Sequence, residues 1–187
     1  MLLMANSSGI PLEIERKFLL IGDSWRSQVI GEPKRLSQGY LCADSEKSVR
    51  VRIAGDYATL TVKGSRNGIS RLEMQYTIPV ADAERMLALC IPPLIDKTRH
   101  IVMHAGMKWE VDIFHGENEG LRVAEVELES EDQPVSIPDW ADEEVSHDPR
   151  YYNSQLVKDP FSRWGVRKRP RISTRRSSRF CMPFQRR

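Results

Sequence analysis

"LEIERKFLL", residues 12–20, sets the terms for everything that follows. Read with the period of two that a strand imposes, Leu12, Ile14 and Phe18 share one face, and Glu13, Glu15 and Lys17 share the other. The charged face either meets water or lines an interior that does chemistry.

The same alternation recurs down the chain. Strands are predicted over 12–20, 35–43, 47–55, 57–65, 70–79, 96–106, 107–116 and 121–130, with turn residues between them. A short helix is expected over 22–30, with Asp23 or Ser24 as its cap, and a second over 81–90. The stretch 137–160 reads as partly helical. Few connections are long enough for a parallel crossover, so the eight strands should form a mainly antiparallel sheet. Eight such strands can close into a barrel or flattened tunnel and so lose their edges. The expected class is α+β, a closed β-barrel with flanking helices.

Sign is segregated on the charged faces. Glu13/Glu15, Glu110/Asp112 and Glu125/Glu127 are acidic pairs, whereas Arg50/Arg52 and Lys97/Arg99 are basic pairs. Like charges two residues apart repel, and a solvated face would more easily mix signs or use Thr and Ser. Such pairs suit a bound object that carries both signs. Carboxylates hold hard cations such as Mg²⁺ or Mn²⁺ through oxygen, and Arg and Lys hold phosphate oxygens. His100, His104, His115 and His147 share no ligand spacing.

Composition excludes several classes. The 187 residues are 40% hydrophobic and 29% charged, sufficient for one domain with a core. No apolar run approaches the roughly 20 residues that span a bilayer. The start "MLLMANSSG" lacks the basic region of a signal peptide. Cys42, Cys90 and Cys181 are far apart, which fits a reducing cytoplasm rather than a disulfide framework or structural zinc. The net charge of +2 conceals a division: residues 163–187 hold ten basic residues and no acid, and the remainder holds 18 basic against 26 acidic residues. Residues 1–11 read as a flexible N-terminus, 12–160 as the domain and 161–187 as a basic, disordered tail. Nucleic acid is not an expected partner, except through that tail by counterion release. A homodimer is left open.

In order along the chain stand "EIERK" (13–17), "QGYL" (38–41), "SVRVR" (48–52), "TVKG" (61–64), "SRLE" (70–73), "KTR" (97–99), "WEVDIF" (109–114), "AEVELE" (124–129) and "DPRYYN" (148–153). This ordered set resembles the CYTH domain of the triphosphate tunnel metalloenzymes, over residues 12–160, and is most similar to the small bacterial inorganic triphosphatases. The resemblance implies an eight-stranded tunnel that binds a linear triphosphate with Mg²⁺ or Mn²⁺. It implies metal ligands at Glu13, Glu15, Glu125 and Glu127, and phosphate contacts from Lys17, Arg50, Arg52, Lys63, Lys97 and Arg99. It also implies a role at the chemistry for Lys97 and for Tyr40, which orients or activates water. Glu110 and Asp112 are weaker candidates for a second metal or for water orientation. Gln75 stands where relatives often carry a carboxylate, which takes the strand of Glu73 out of the metal set. The activity expected is metal-dependent hydrolysis of a terminal phosphoanhydride, with inorganic tripolyphosphate as substrate. On the same fold, cyclic AMP synthesis, hydrolysis of thiamine or nucleoside triphosphates, and binding of polyphosphate or nucleotide without turnover remain alternatives.

Overall fold

The computed structural model describes residues 12–165. Nine strands form one sheet: β1 (Leu12–Leu20), β2 (Val29–Ala43), β3 (Ser48–Ala54), β4 (Tyr57–Asn67), β5 (Ser70–Ile78), β6 (Ile91–His104), β7 (Met107–Phe114), β8 (Arg122–Glu127) and β9 (Ala141–Glu144). The order is β5-β4-β3-β2-β6-β7-β8-β1-β9, and a further β5–β1 pairing closes the first eight into an antiparallel barrel. Helix α1 (Val80–Leu87) follows β5, and a single turn, α2 (Asn153–Leu156), lies near the C-terminal end of the described chain.

Closure explains the ninth strand. One edge of β1 pairs with β5 only from Leu12 to Ile14, with Glu15 N donating to Ile69 O at 3.4 Å, and beyond that β9 with Val145 and Ser146 covers it. The segment "ADEE" carries no β-forming signal, and sequence reasoning did not find it. Strands β2 and β6 begin earlier than expected, at Val29 and Ile91. Gly31 and Pro33 read as strand breakers, but the shift in β2–β6 register between Ile30 and Lys34 absorbs them. The predicted helix over 22–30 is only a 3₁₀ turn, Ser24–Gln28, without a side-chain cap. Asp23 instead accepts from Arg26 (3.2 Å) and from Arg122 (2.9 Å).

The apolar packing lies mostly outside the barrel wall. Trp25 and Trp140 cover the outer faces of β1, β7 and β8 in a cluster with Phe18, Trp109 and Val126. Helix α1 covers β3 and β4 through Ala83 against Val51 and Ala58. Burial this complete stabilises by roughly 1.5–3 kcal/mol for each large apolar side chain. Such packing on the outside leaves the inward faces free to be polar.

Each inward stripe changes character at one end of the barrel. The series Glu13-Glu15-Lys17 continues to Leu19, and Glu127-Glu125 continues to Val123. Likewise Glu110-Asp112 ends in Phe114, and Arg99-Lys97 ends in Ile95. Leu19, Val123, Phe114 and Ile95 pack with Tyr151, Leu156, Phe161 and Trp164 in one cluster, so the C-terminal segment caps this end. The folded body therefore continues past residue 160, since Phe161 and Trp164 are buried. The expected boundary of the tail moves accordingly to at least Trp164. The flexible N-terminus expected over 1–11, Cys181, and the basic stretch from 166 onward lie outside the described residues.

Candidate active site

The charged faces converge on an interior cavity of about 330 Å³, lined by nine basic and six acidic side chains. Strand register sets the opposing pairs. Across β1–β8, Glu15 faces Glu127 and Lys17 faces Glu125, and across β1–β5, Glu13 faces Arg71. Lys17 Nζ lies 2.8 Å from Glu125 Oε1. Lys63 Nζ lies 2.6 Å from both Glu13 Oε1 and Glu73 Oε2. Arg71 Nε donates to Glu13 Oε2 at 2.7 Å, and Arg66 Nη2 to Glu15 Oε1 at 3.3 Å.

Arg99 is held by three carboxylates. It donates to Asp112 (2.7 and 2.6 Å), to Glu125 (2.9 Å) and to Glu110. Burial opposes its charge, but these acids, Asp112 first, raise its pKa well above the ordinary value. Arg50 and Arg52 are held differently. Arg52 Nε donates to the amide Oε1 of Gln38 at 2.9 Å, and Arg50 Nη2 donates to the hydroxyl of Thr61 at 3.1 Å. Neither has a carboxylate partner among the described residues. Burial, with Arg50 and Arg99 nearby, pushes Arg52 down to about 9.

The acids also divide. Burial alone would raise Glu13 and Glu125. Lys63 and Arg71 hold Glu13 well below its ordinary value, and Lys17, Lys97 and Arg99 do the same for Glu125. Glu127 has no ion pair among the described residues. Partial burial and the carboxylates of Glu13, Glu110 and Glu73 push it up, against the pull of Lys108. Glu73 is also raised, by burial and by Glu13, and its Oε2 lies close to Lys63 but off the hydrogen-bonding directions.

These groups suit a hard divalent cation. The candidate donors Glu13, Glu15, Glu125 and Glu127 offer carboxylate oxygen only, the chemistry of Mg²⁺ and Mn²⁺ sites. Glu127, crowded by like charges and with Lys108 near but no direct ion pair among the described residues, is the observation that calls for a cation. Among the described residues no three such side chains stand close enough to hold a metal as they are. Glu13, Glu15 and Glu125 would first have to exchange Lys63, Arg71, Arg66, Lys17 and Arg99 for it.

The cavity lining brings together Lys17, Arg50, Arg52, Lys63, Arg99, Tyr40 and all four predicted metal ligands. Lys97 is not on that lining. It is fully enclosed against Asp112, with its ammonium 5.3 Å from the Phe114 ring centre, and burial lowers it to about 8. Tyr40 is 5% exposed, and burial raises its phenol despite the arginines around it. Trp25 and Trp140 belong to the packing, not the cavity, and His100 and His104 lie against them.

Sequence reasoning missed Arg66, Arg71 and Tyr152. Arg71 stands two residues before Glu73 on the same face, so its alternation was a usable signal. Arg66 follows a break in the β4–β5 register after Lys63, which defeats a period-two reading. Tyr152 comes from the C-terminal cap, and Arg66 stacks 4.7 Å over its ring.

The profile of the CYTH domain family matches residues 11–152. An inorganic triphosphatase of Acetivibrio thermocellus is 51% identical over 150 residues, which cover 80% of this chain and 95% of that one. An inorganic triphosphatase of Nitrosomonas europaea is 35% identical over 149 residues, which cover 78% and 96%. A crystal structure of an inorganic triphosphatase superposes with a TM-score of 0.56 at 34% identity, covering 78% of this chain and 93% of that one.

Proposed function

The chain belongs to the CYTH domain family, and on that premise we propose that it hydrolyses the terminal phosphoanhydride of a linear triphosphate, with inorganic tripolyphosphate as substrate and Mg²⁺ or Mn²⁺ as cofactor. The observation that carries this reading is one cavity with two poles. Among the described residues, Arg50 and Arg52 stand there without a carboxylate hydrogen bond, and Glu127 stands there without a direct ion pair.

The charges support it. Two terminal phosphates at about −1.5 to −2 each and a middle one near −1 give a linear triphosphate about four to five negative charges. One divalent cation reduces that to about two or three. The lining has a formal excess of three positive charges. A cation among Glu13, Glu15, Glu125 and Glu127 would supply Lewis-acid stabilisation of the phosphate oxygens. Lys17, Lys63 and Arg99, released from their carboxylates, join Arg50 and Arg52 on the phosphates. Water then attacks the terminal phosphorus, the P–O bond to the neighbouring phosphate breaks, and phosphate, pyrophosphate and a proton leave. Such a reaction needs positioning and charge stabilisation more than a covalent nucleophile.

Tyr40, with its phenol kept protonated by burial, donates a hydrogen bond to a phosphate or to the attacking water. Lys97 reaches the reaction only when Asp112 releases it. Lys97→Met tests that role: a large loss of turnover supports it, and unchanged turnover leaves Lys97 as a structural ion pair. The setting we infer is the cytosol, consistent with free thiols at Cys42 and Cys90. No described helix is long and apolar enough to cross a membrane.

The experiment compares tripolyphosphate, ATP and thiamine triphosphate with Mg²⁺ or Mn²⁺, following phosphate and cyclic AMP. Phosphate released fastest from tripolyphosphate is the expected result. Cyclic AMP as main product, or binding without release, would overturn the reading. Glu15→Gln should reduce metal-dependent turnover at least about a hundredfold, and near-normal turnover would remove Glu15 from the metal set.

A further inference from the structure

We propose that Gln38, Thr61 and Gln75 are positioning residues that hold Arg50 and Arg52 with neutral side chains, so that both guanidiniums meet the substrate with no carboxylate hydrogen-bonded to them. This rests on the triphosphatase reading above and extends it to residues outside the charged set.

The contrast lies within one cavity. Arg66, Arg71 and Arg99 are each held by carboxylates, at Glu15, at Glu13, and at Asp112 with Glu110 and Glu125. The two arginines of β3 are not. Gln38, on the neighbouring β2, is fully enclosed and sits in register opposite Arg52. A guanidinium Nε–H can only donate, so the amide atom that meets it at 2.9 Å is Oε1. That fixes the amide's orientation and leaves Nε2 buried with no protein acceptor. On the other side, Thr61 of β4 sits opposite Arg50. Its hydroxyl accepts from Arg50 at 3.1 Å and donates to Oε1 of Gln75, on β5, at 3.3 Å. Arg50 is 6% exposed, and its Nε has no partner.

A carboxylate at position 38 or 75 would fill the same space as the amide. At position 38 it would also pair directly with the Arg52 guanidinium and compete with phosphate for it, whereas at 75 it would act on Arg50 only through Thr61. Neutral holders set direction and leave the charge available, an arrangement that strengthens charge-assisted bonds to an incoming anion. The cost is visible in the orphaned Gln38 Nε2 and Arg50 Nε, polar atoms that a stability-optimised interior would have satisfied. A mainly structural role would instead favour a carboxylate at these positions, as at every other arginine just named.

The test uses the full chain and its variants Gln38→Glu, Gln38→Met, Gln75→Glu, Arg52→Met and the double variant Gln38→Glu/Arg52→Met. Calorimetry with inorganic tripolyphosphate gives Kd, phosphate release gives KM and kcat, and thermal melting reports folding. Gln38→Glu should weaken binding about ten- to a hundredfold, the worth of one charge-assisted bond, with Tm held or raised by the new ion pair. KM should change more than kcat. In the Arg52→Met background the same substitution should weaken binding less than about threefold, because its target is gone. Gln75→Glu should act in the same direction through Thr61 and Arg50. Gln38→Met, which adds no charge, should weaken binding less than Gln38→Glu. Wild-type affinity in Gln38→Glu, or an equal loss with and without Arg52, would overturn the positioning role and leave the triphosphatase reading intact. A wild-type chain that neither binds nor hydrolyses tripolyphosphate would overturn that reading and this proposal together.

Discussion

Replacing Lys63 with methionine removes an amine that bridges the carboxylates of Glu13 and Glu73. Lys63 Nζ lies 2.6 Å from Glu13 and 2.6 Å from Glu73, and the Lys63 side chain is 5% exposed. Glu13 keeps Arg71 at 2.7 Å, but Glu73 has no other ion pair among the described residues. The variant thus leaves a carboxylate enclosed without a base, which costs about 3–5 kcal/mol when a buried pair is broken. For a body of this size that corresponds to a drop in Tm of about 6–20 °C. The pH dependence has a definite sign. Glu73 is already raised by burial and by Glu13, and loss of Lys63 raises it further. An acid whose folded pKa is raised holds its proton more tightly in the native state. The penalty therefore grows as pH rises from the ordinary value of 4.5 through the folded value, and it is relieved in acid. Thermal melts at pH 4.5 and pH 8 should show the larger deficit at pH 8. Lys63→Met/Glu73→Gln, which replaces the stranded acid by an amide, should recover most of the lost stability but not the lost turnover. A Lys63→Met melt within 2 °C or so of wild type at pH 8, or no recovery in the double variant, would refute this account of the ion-pair network.

Glu127→Gln should leave Tm unchanged or slightly higher, by less than about 1 kcal/mol because the group is partly exposed and screened, while metal-dependent turnover falls; a melt lowered by several degrees would show that Glu127 has a structural partner. Gly39→Ala should destabilise by about 1–3 kcal/mol, since a Cβ there would lie 2.6 Å from Cys90 Cβ and 2.7 Å from Leu94 Cδ2; an unchanged urea midpoint would contradict this packing. Below the ordinary carboxylate value of 4.5, stability should fall steadily as the lowered groups Glu13 and Glu125 take up protons; a flat stability profile from pH 5 to pH 3 would contradict their pairing with Lys63, Arg71, Lys17 and Arg99.

The period-two pattern carried most of the fold. Strands whose alternation is unbroken, such as "SVRVRI" and "WEVDIF", reveal both their extent and which face turns inward. Legibility failed where geometry overrides local pattern. Gly31 and Pro33 are absorbed by an irregularity in β2, and "ADEE" pairs only because closure of the barrel leaves an edge of β1 uncovered. Within the site, charge alternation located Glu13, Glu15, Arg50, Arg52 and Glu125, because a strand cannot turn one of its i, i+2 side chains away from the others. It did not reveal depth. Lys97 and Arg99 look alike in "KTR", yet Arg99 lines the cavity and Lys97 lies deeper against Asp112. The passage from charged to apolar along each stripe, Lys17 to Leu19 or Asp112 to Phe114, was the available signal for where the cavity ends. Arg66 and Tyr152 were beyond such reasoning, since one follows a register break and the other arrives from the C-terminal cap.

The most direct measurement of the central claim is the initial rate of phosphate release from inorganic tripolyphosphate by the full chain, with Mg²⁺ or Mn²⁺ present and again after excess EDTA. The two-pole cavity predicts rapid release that EDTA abolishes and added divalent cation restores. Release that persists unchanged in EDTA would contradict the role given to Glu13, Glu15, Glu125 and Glu127, and no release with either cation would contradict the assigned activity itself.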